Sequence, residues 1–289
     1  MIKKNKKLII NNTNLILGAA LGYSWDDLKI FIKSLRKFEN CRVILIFEDT
    51  LNQRLKNEFR NYKIEYFIHK QKKKEDIPGL TNSKSDVGQR RYEMYEQVLK
   101  KIKNKPKTIL LTDTRDVVFQ KNLFKNKFKK TLNFFLENEI ILNDPRNSRW
   151  LERTVGKKEY NKIKKNYISC SGTTLGSYEQ ILRYSFLMKK YLYLFPYKRP
   201  IRHLITFKNV EPYDQGLHNY LIYNNFFNEM QLHKNDFSKI CTTAYMRKFT
   251  FNKNGQLINK KKQIYSLIHQ YDRSFNKYGP IFNFKKIYG

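Results

Sequence analysis

Asn14-Leu-Ile-Leu-Gly-Ala-Ala20 is a short apolar run, closed by the turn residues Gly22-Tyr-Ser24. Beyond it Leu28, Phe31, Ile32, Leu35 and Phe38 recur at helical spacing. The pattern predicts a strand, a turn and an amphipathic helix. Ser24 suits the N-cap, and Asp26 and Asp27 in the first turn suit the positive end of the helix dipole. Val43 to Phe47 reads as a second strand, Leu51 to about Phe59 as a second helix, and Ile64 to Ile68 as a third strand. Such β-α-β-α-β alternation predicts an α/β fold, with a mainly parallel sheet covered by helices.

Residues 70 to 89 are charged, carry Pro78-Gly79 and lack periodicity, so a surface excursion is expected there. From Arg90 the helical pattern returns, with Tyr92, Tyr95, Leu99 and Ile102 on one face, until Pro106 stops it. Thr108-Ile-Leu-Leu-Thr112 is a buried-strand run that delivers Asp113-Thr-Arg-Asp116 at its carboxyl end. Farther on the pattern is less regular. Phe134 to Leu136 and Tyr167 to Ser169 read as short strands, the second opening into Cys170-Ser-Gly-Thr-Thr-Leu-Gly176. Helices are expected over Tyr178 to Leu194 and Gln215 to about Phe227, a tight hairpin at Asn254-Gly255, and a last strand over Ile264 to Ile268 that stops at His269.

The chain has 289 residues, 40% hydrophobic and 15% aromatic, which supplies a full core and excludes wholesale disorder. No apolar run approaches the roughly 18 residues of a membrane-spanning helix, and neither a signal peptide nor an anchor is read, so a cytoplasmic protein is expected. Cys41, Cys170 and Cys241 are odd in number and far apart, which speaks against a disulfide framework or a zinc knuckle. The formal net charge of +33 would attract any polyanion, a membrane surface included. Its basic clusters lack the regular aromatic interleave of a nucleic-acid module, so no specific nucleic acid is expected. The joint abundance of Lys, Asn, Ile, Phe and Tyr also fits an AT-rich coding sequence.

In open α/β sheets ligands sit beyond the carboxyl ends of the strands. Four segments occupy such positions: Ala19 to Tyr23, Asp113 to Asp116, Cys170 to Gly176, and His269 to Arg273. Two carboxylates on a turn after a buried strand offer hard oxygen ligands to Mn²⁺ or Mg²⁺, although Asp also caps turns. An imidazole at a strand end would complete such a site if the chain brought His269 near. Cys170 has no evident histidine partner and is not expected to be a nucleophile. The histidines at 69, 203, 218 and 233 are read as surface or packing groups.

Leu111-Thr-Asp-Thr-Arg-Asp-Val-Val-Phe-Gln120, a helix opening at Arg91-Tyr92, and the closing His269-Gln-Tyr-Asp-Arg273 together resemble nucleotide-sugar-dependent glycosyltransferases of the GT-A (Rossmann-like) fold. Gly18-Ala-Ala-Leu-Gly-Tyr-Ser24 is similar to the first strand and turn of that fold. Asp214-Gln215, followed by Asn219, resembles the Asp-Gln element of the glycogenin and lipopolysaccharide galactosyltransferase group. The matches are short but run in order from about residue 14 to residue 277. The resemblance implies one domain, with a nucleotide-binding half at 1–116 and an acceptor half at 117–289. It implies that Asp113, Asp116 and His269 bind Mn²⁺ or Mg²⁺. Ala19, Ala20, Tyr23, Arg91, Asp113, Thr114, Arg273 and Lys277 would then bind a UDP- or GDP-sugar. Asp214 and Gln215 would serve at the reacting sugar, Asp214 as a base if the enzyme inverts, while Ser171 and Gly172 would line the side of a glycan or glycolipid acceptor. Asp214 can equally be a helix N-cap. Arg115 stands where the family's Asp-x-Asp motif has its second carboxylate, which leaves open which Asp meets the metal. Lys277 lies farther from His269 than the family's lysine does.

The turn also imitates the Asp-x-Asp signature of haloacid-dehalogenase phosphatases, but Arg115 occupies the place of their general acid. No P-loop and no G-x-G-x-x-G follows a strand. The remaining alternatives are a metal-dependent nucleotidyltransferase and a basic protein that binds nucleic acid or an anionic membrane.

Overall fold

The computed structural model describes residues 10–69, 87–194 and 214–273. Their strands and helices run β1 (Asn11–Ala19), α1 (Trp25–Phe38), β2 (Cys41–Phe47), α2 (Gln53–Asn61), β3 (Glu65–Ile68), α3 (Val87–Lys101), β4 (Thr108–Thr112), β5 (Val117–Phe119) and β6 (Leu132–Ile140). They continue with α4 (Pro145–Val155), α5 (Lys157–Ile163), β7 (Tyr167–Gly176), α6 (Tyr178–Leu194), α7 (Asp214–Tyr223), β8 (Met230–His233), β9 (Ile240–Thr242) and β10 (Leu267–His269). Most of the expected surface excursion, 70–86, lies outside the described residues.

Seven strands form one sheet in the order β3-β2-β1-β4-β7-β6-β8. The first four are mutually parallel, β7 runs antiparallel to both β4 and β6, and β8 is parallel to β6. This is an α/β fold with a mixed, mostly parallel central sheet and a Rossmann-like ordering of its first half. The alternation of β1 explains why both faces are covered. Leu15 and Leu17 point into a core built with Tyr92, Tyr95 and Leu99 of α3 and Ile181 and Tyr184 of α6. Ile16 points the other way, against Leu28, Phe31, Ile32 and Leu35 of α1. Each of these side chains is essentially solvent-free, and burying one is worth about 1.5–3 kcal/mol. At the start of α1, Ser24 donates through its N–H and hydroxyl to the Asp27 carboxylate, at 2.8 and 2.7 Å.

β5, β10 and β9 form a second, three-stranded sheet. It lies against α1, where the Ser34 hydroxyl accepts the Phe119 N–H at 3.1 Å. The hairpin at Asn254-Gly255 forms as expected, with Gly255 at φ 72° and a bridge between Phe251 and Leu257.

The strand read over Tyr167 to Ser169 does not stop before Cys170. β7 continues to Gly176, pairing Gly176 with Ile109 and Thr173 with Thr112. Its small, hydroxyl-rich residues have loop composition, yet their backbone is in the ladder and Thr173 and Thr174 are buried. The last expected helix begins at Asp214 and ends earlier than read, at Tyr223; Asn225 beyond it takes a left-handed φ of 57°.

Candidate functional site

The carboxyl end of β4 is shaped by three backbone constraints. The Asp113 N–H donates to the Gly172 carbonyl at 2.9 Å, which continues the β4–β7 ladder by one step. The Thr114 hydroxyl donates to the Ala19 carbonyl at 3.1 Å, tying the turn to the end of β1. The Asp116 carbonyl then accepts the Gln270 N–H at 2.8 Å as the chain enters β5. β5 pairs antiparallel with β10 in a register that sets Val117 opposite His269. That register carries His269 to the two aspartates, and a one-residue slip would turn its ring to the other face.

Asp113, Asp116 and His269 form a compact donor set, with one ligand atom from each lying within 4.8 Å of the others. His269 Nε2 is 3.2 Å from Asp113 Oδ2 and 3.6 Å from Asp116 Oδ1. The Asp113 side chain is 35% exposed, Asp116 6% and His269 0%, so the cluster opens to solvent on one side only. Burial opposes every charge here, but the partners decide. Burial works against the Asp113 carboxylate, yet the His269 hydrogen bond and the Arg91 charge hold it well below the usual range. Burial raises Asp116, and neighbouring Asp113 adds to the rise against the pull of His269. His269 loses to burial but is pushed far above its ordinary value by Cys170, then by the Asp116 charge and the Asp113 hydrogen bond. Without another cation the imidazole carries the positive charge that two adjacent carboxylates demand.

This donor set fits a divalent metal. Two carboxylate oxygens and an imidazole nitrogen, with open positions toward solvent, suit Mn²⁺ or Mg²⁺. Gly172 supplies the space. A Cβ there would sit 2.4 Å from His269 Cε1, 2.6 Å from Asp113 Oδ2 and 2.9 Å from His269 Nε2. Any other residue at 172 would fill the cradle between the donors. Gly172 thus borders the candidate metal position from the middle of β7.

Arg91, near the start of α3, joins this cluster to α7. Its Nη1 donates to Asp113 Oδ1 at 2.8 Å, and its Nη2 reaches Ser171 Oγ at 2.9 Å and pairs with Asp214 Oδ2. Asp214, buried among these groups, is raised by burial even against the opposing Arg91 charge. Its other oxygen accepts the Gln215 N–H, a capping role within the first turn of α7. The Gln215 amide accepts the Ser171 N–H at 2.9 Å and donates to the Ser169 carbonyl at 2.8 Å. Asn219 grips Ser169 in the same way, at 2.8 and 3.0 Å. The expected catalytic pair and the expected acceptor-side residues thus meet at the site, where Gln215 holds the β7 backbone past the end of its pairing with β4.

Around the opening stand Ala19, Tyr23, Arg115 and Arg273, with Ala20 buried behind them. Burial raises the Tyr23 hydroxyl, helped by the Asp113 charge and opposed by the Arg115 charge. Arg115 pairs with Asp272 at 3.0 Å, and Arg273 lies 3.9 Å from Asp116. Lys277 lies outside the described residues.

Three features escaped the sequence reading. Cys170 does have a histidine partner, since its Sγ is 3.4 Å from His269 Nδ1. Burial raises the thiol, which therefore stays protonated and is no nucleophile. Behind it Glu137 of β6 is buried and pushed up to about 7 by desolvation. Its only sequence signal is a carboxylate directly after the apolar run Phe134–Leu136. The Arg91–Asp214 pair spans 123 positions and has no local signal at all. Of the other histidines, His218 is a packing group, bonded to Ser169 and Tyr184 and pushed down to about 3 by burial. His233 and His69 bond Asn133 and Gln97, and His203 lies outside the described residues. No protein-family model matches this chain, and a search of curated proteins returned no match either.

Proposed function

We propose that the chain is a metal-dependent glycosyltransferase of the GT-A type, which moves a sugar from a nucleoside-diphosphate sugar to a hydroxyl of a glycan or glycolipid. One observation carries the reading: Asp113, Asp116 and His269, from two separate sheets, converge at the carboxyl end of β4 around a gap that only glycine at 172 leaves clear. The parallel half of the sheet, with Ala19 and Tyr23 at its open end, supports a nucleotide site in the same crevice.

Asp113, Asp116 and His269 would hold the divalent ion, which supplies electrostatic stabilisation of the charge that develops on a departing diphosphate. Arg273 and Arg115 at the opening would add charge-assisted hydrogen bonds to phosphate oxygens. Arg91 holds Asp113 and Asp214 at fixed positions, so the carboxylates on either side of the reacting sugar need no reorganisation. Asp214 and Gln215 would serve at the reacting sugar, with Ser171 and Gly172 on the side of the acceptor. No helix among the described residues is long and apolar enough to cross a membrane. We place the protein in the cytoplasm, where its basic surface would bring it to anionic membranes carrying the acceptor.

Calorimetry with Mn²⁺ and UDP or GDP tests this. Saturable, metal-dependent binding is expected, lost in Asp116→Ala while circular dichroism stays native. Absence of binding to both nucleotides would overturn it. Hydrolysis of UDP- and GDP-sugars with Mn²⁺ then identifies the donor. Incorporation of a nucleoside monophosphate into product would instead make the enzyme a nucleotidyltransferase.

A further inference from the structure

Four residues other than glycine take a left-handed φ among the described residues, and three of them, Lys63, Asn225 and Lys262, are exposed. The fourth is Gln270, at φ 60°, buried and directly after His269. The close approach of Cβ to the backbone makes this conformation costly for an L-residue, and it persists only where the surroundings enforce it. Here they do so from three sides. The Gln270 N–H donates to the Asp116 carbonyl at 2.8 Å. The Gln270 carbonyl accepts the Thr243 hydroxyl at 2.6 Å and the Arg273 N–H at 3.1 Å. Thr243, which follows β9 and is fully buried, also donates its N–H to the His269 carbonyl at 3.0 Å. The chain therefore leaves β10 by the turn Gln270-Tyr-Asp-Arg273 instead of running on in the direction of the strand.

We infer that Gln270 and Thr243 are positioning residues for the diphosphate of the donor, because the left-handed turn they close sets Asp272 and Arg273 at the mouth of the metal site. The inference rests on the donor reading proposed above. Arg273 ends the turn with its guanidinium 3.9 Å from Asp116 Oδ2, and Asp272 holds Arg115 at 3.0 Å. Both arginines assigned to phosphate oxygens thus depend on one backbone conformation. The bond from Gln270 to the Asp116 carbonyl ties that conformation to a residue of the metal set. With an extended φ at 270 the chain would continue along β10, and the Arg273 N–H would lose the Gln270 carbonyl. Its side chain would then leave the opening.

Calorimetry on the full-length protein, titrating Mn²⁺ alone and then UDP or GDP in saturating Mn²⁺, tests this, with thermal unfolding to show that each variant folds. Gln270→Gly and Gln270→Asn accept a left-handed φ and should bind nucleotide much as wild type does. Gln270→Val resists that φ through its β-branched side chain, and Thr243→Val keeps the shape but deletes the hydroxyl. Each valine variant should lose about tenfold in nucleotide affinity, the worth of one charge-assisted hydrogen bond, and should either fail to fold, the other carries the test. Mn²⁺ affinity without nucleotide should hardly move. Thr243→Val added to Arg273→Gln should cost less than it does alone, since both act on one contact. Valine variants that bind nucleotide as wild type does would overturn the inference. So would a Gln270→Gly variant as weak as Gln270→Val, because the side chain and not the turn would then matter. Mn²⁺ affinity falling as far as nucleotide affinity, or fully additive losses in the double variant, would overturn it too. If wild type takes up Mn²⁺ but neither nucleotide, the donor reading itself falls, and this inference with it.

Discussion

The two ends of the parallel strands carry charge in opposite ways. At the carboxyl end Asp113, Asp116, Asp214, Arg91 and His269 are packed side by side, and nearly every charged atom has a protein partner. At the amino end a cleft of about 430 Å³ is lined by Asn12, Arg42, Glu65, Lys101, Lys103 and Asn104, and a second of about 350 Å³ by Lys56, Arg60 and Lys63 among others. Several of these side chains stand in solvent, and the best-formed pair, Arg42 on Glu65, is half exposed on its acidic side. Exposed bases such as these contribute to the net charge of +33. The chemistry belongs to the carboxyl end, where carboxylates gather despite the surplus of bases. Buried charges that share partners should fail together, whereas exposed ones should be removable singly.

Arg91→Met is expected to have the largest effect. It leaves Asp214 buried without its cation and frees Asp113, and breaking a buried pair from one side costs about 3–5 kcal/mol. Urea unfolding should show a midpoint shift of that size, and Mn²⁺ affinity should fall as well. A loss below about 1 kcal/mol would mean that the pair behaves like a surface contact and that the two ends do not differ. Gly172→Ala comes next. Its Cβ would collide with His269 and Asp113, so Mn²⁺ affinity should drop roughly 100-fold, about 2.7 kcal/mol. Its backbone needs no left-handed φ, so the strand should persist and the loss should fall on the His269–Asp113 cradle. Unchanged metal affinity would show that the ion does not lie where the donors converge.

The carboxyl end was legible wherever its signal was local. Asp113 and Asp116 follow a strand whose bounds, Thr108–Thr112, are those read from the sequence. Ser24 was recognisable as a cap because Asp26 and Asp27 stand beside it. What escaped was non-local. Val117–Phe119 is too short to read as a strand, and only its antiparallel pairing with Leu267–His269 makes it one. The continuation of β7 through Ser171 and Gly172 was hidden because residues favoured in loops are here held by ladder bonds and by the Gln215 and Asn219 side chains. Glu137 reads as an ordinary surface position until β6 is seen to be covered on both faces.

Glu39 offers a control, because it is a buried carboxylate at the amino end. Its oxygen accepts the backbone N–H groups of Leu123 and Phe124, and desolvation pushes it up to about 7. Between its unfolded value near 4.5 and about 7, the folded protein keeps a proton that the unfolded chain has released. Stability therefore falls as pH rises through that window and levels off above it. Glu39→Gln retains the acceptor oxygen and removes the titration. It should flatten the fall and leave the variant roughly 1–3 kcal/mol more stable than wild type at pH 8, with metal binding untouched. Denaturant unfolding at pH 5 and pH 8 gives the slope, and identical slopes in both proteins would refute the assignment.

The smallest effect should come from reversing the exposed charges of the amino end. β1 has nine residues, so at about 3.3 Å per residue its two ends lie roughly 30 Å apart. Screening at physiological salt acts over about 8 Å, so Lys101 and Lys103 contribute almost nothing to the potential at Asp113. Lys101 sits 4.7 Å from the Phe67 ring centre, and losing that contact costs about 0.5–1 kcal/mol. The double variant Lys101→Glu and Lys103→Glu should therefore unfold slightly earlier, yet bind Mn²⁺ and nucleotide as wild type does in 0.15 M salt. Repeating the titration at low salt sharpens the test, because the Debye length then grows to about 30 Å and a modest weakening should emerge. A tenfold loss already at 0.15 M would mean that the diffuse charge of +33 takes part in ligand capture, and the separation drawn between the two ends would not hold.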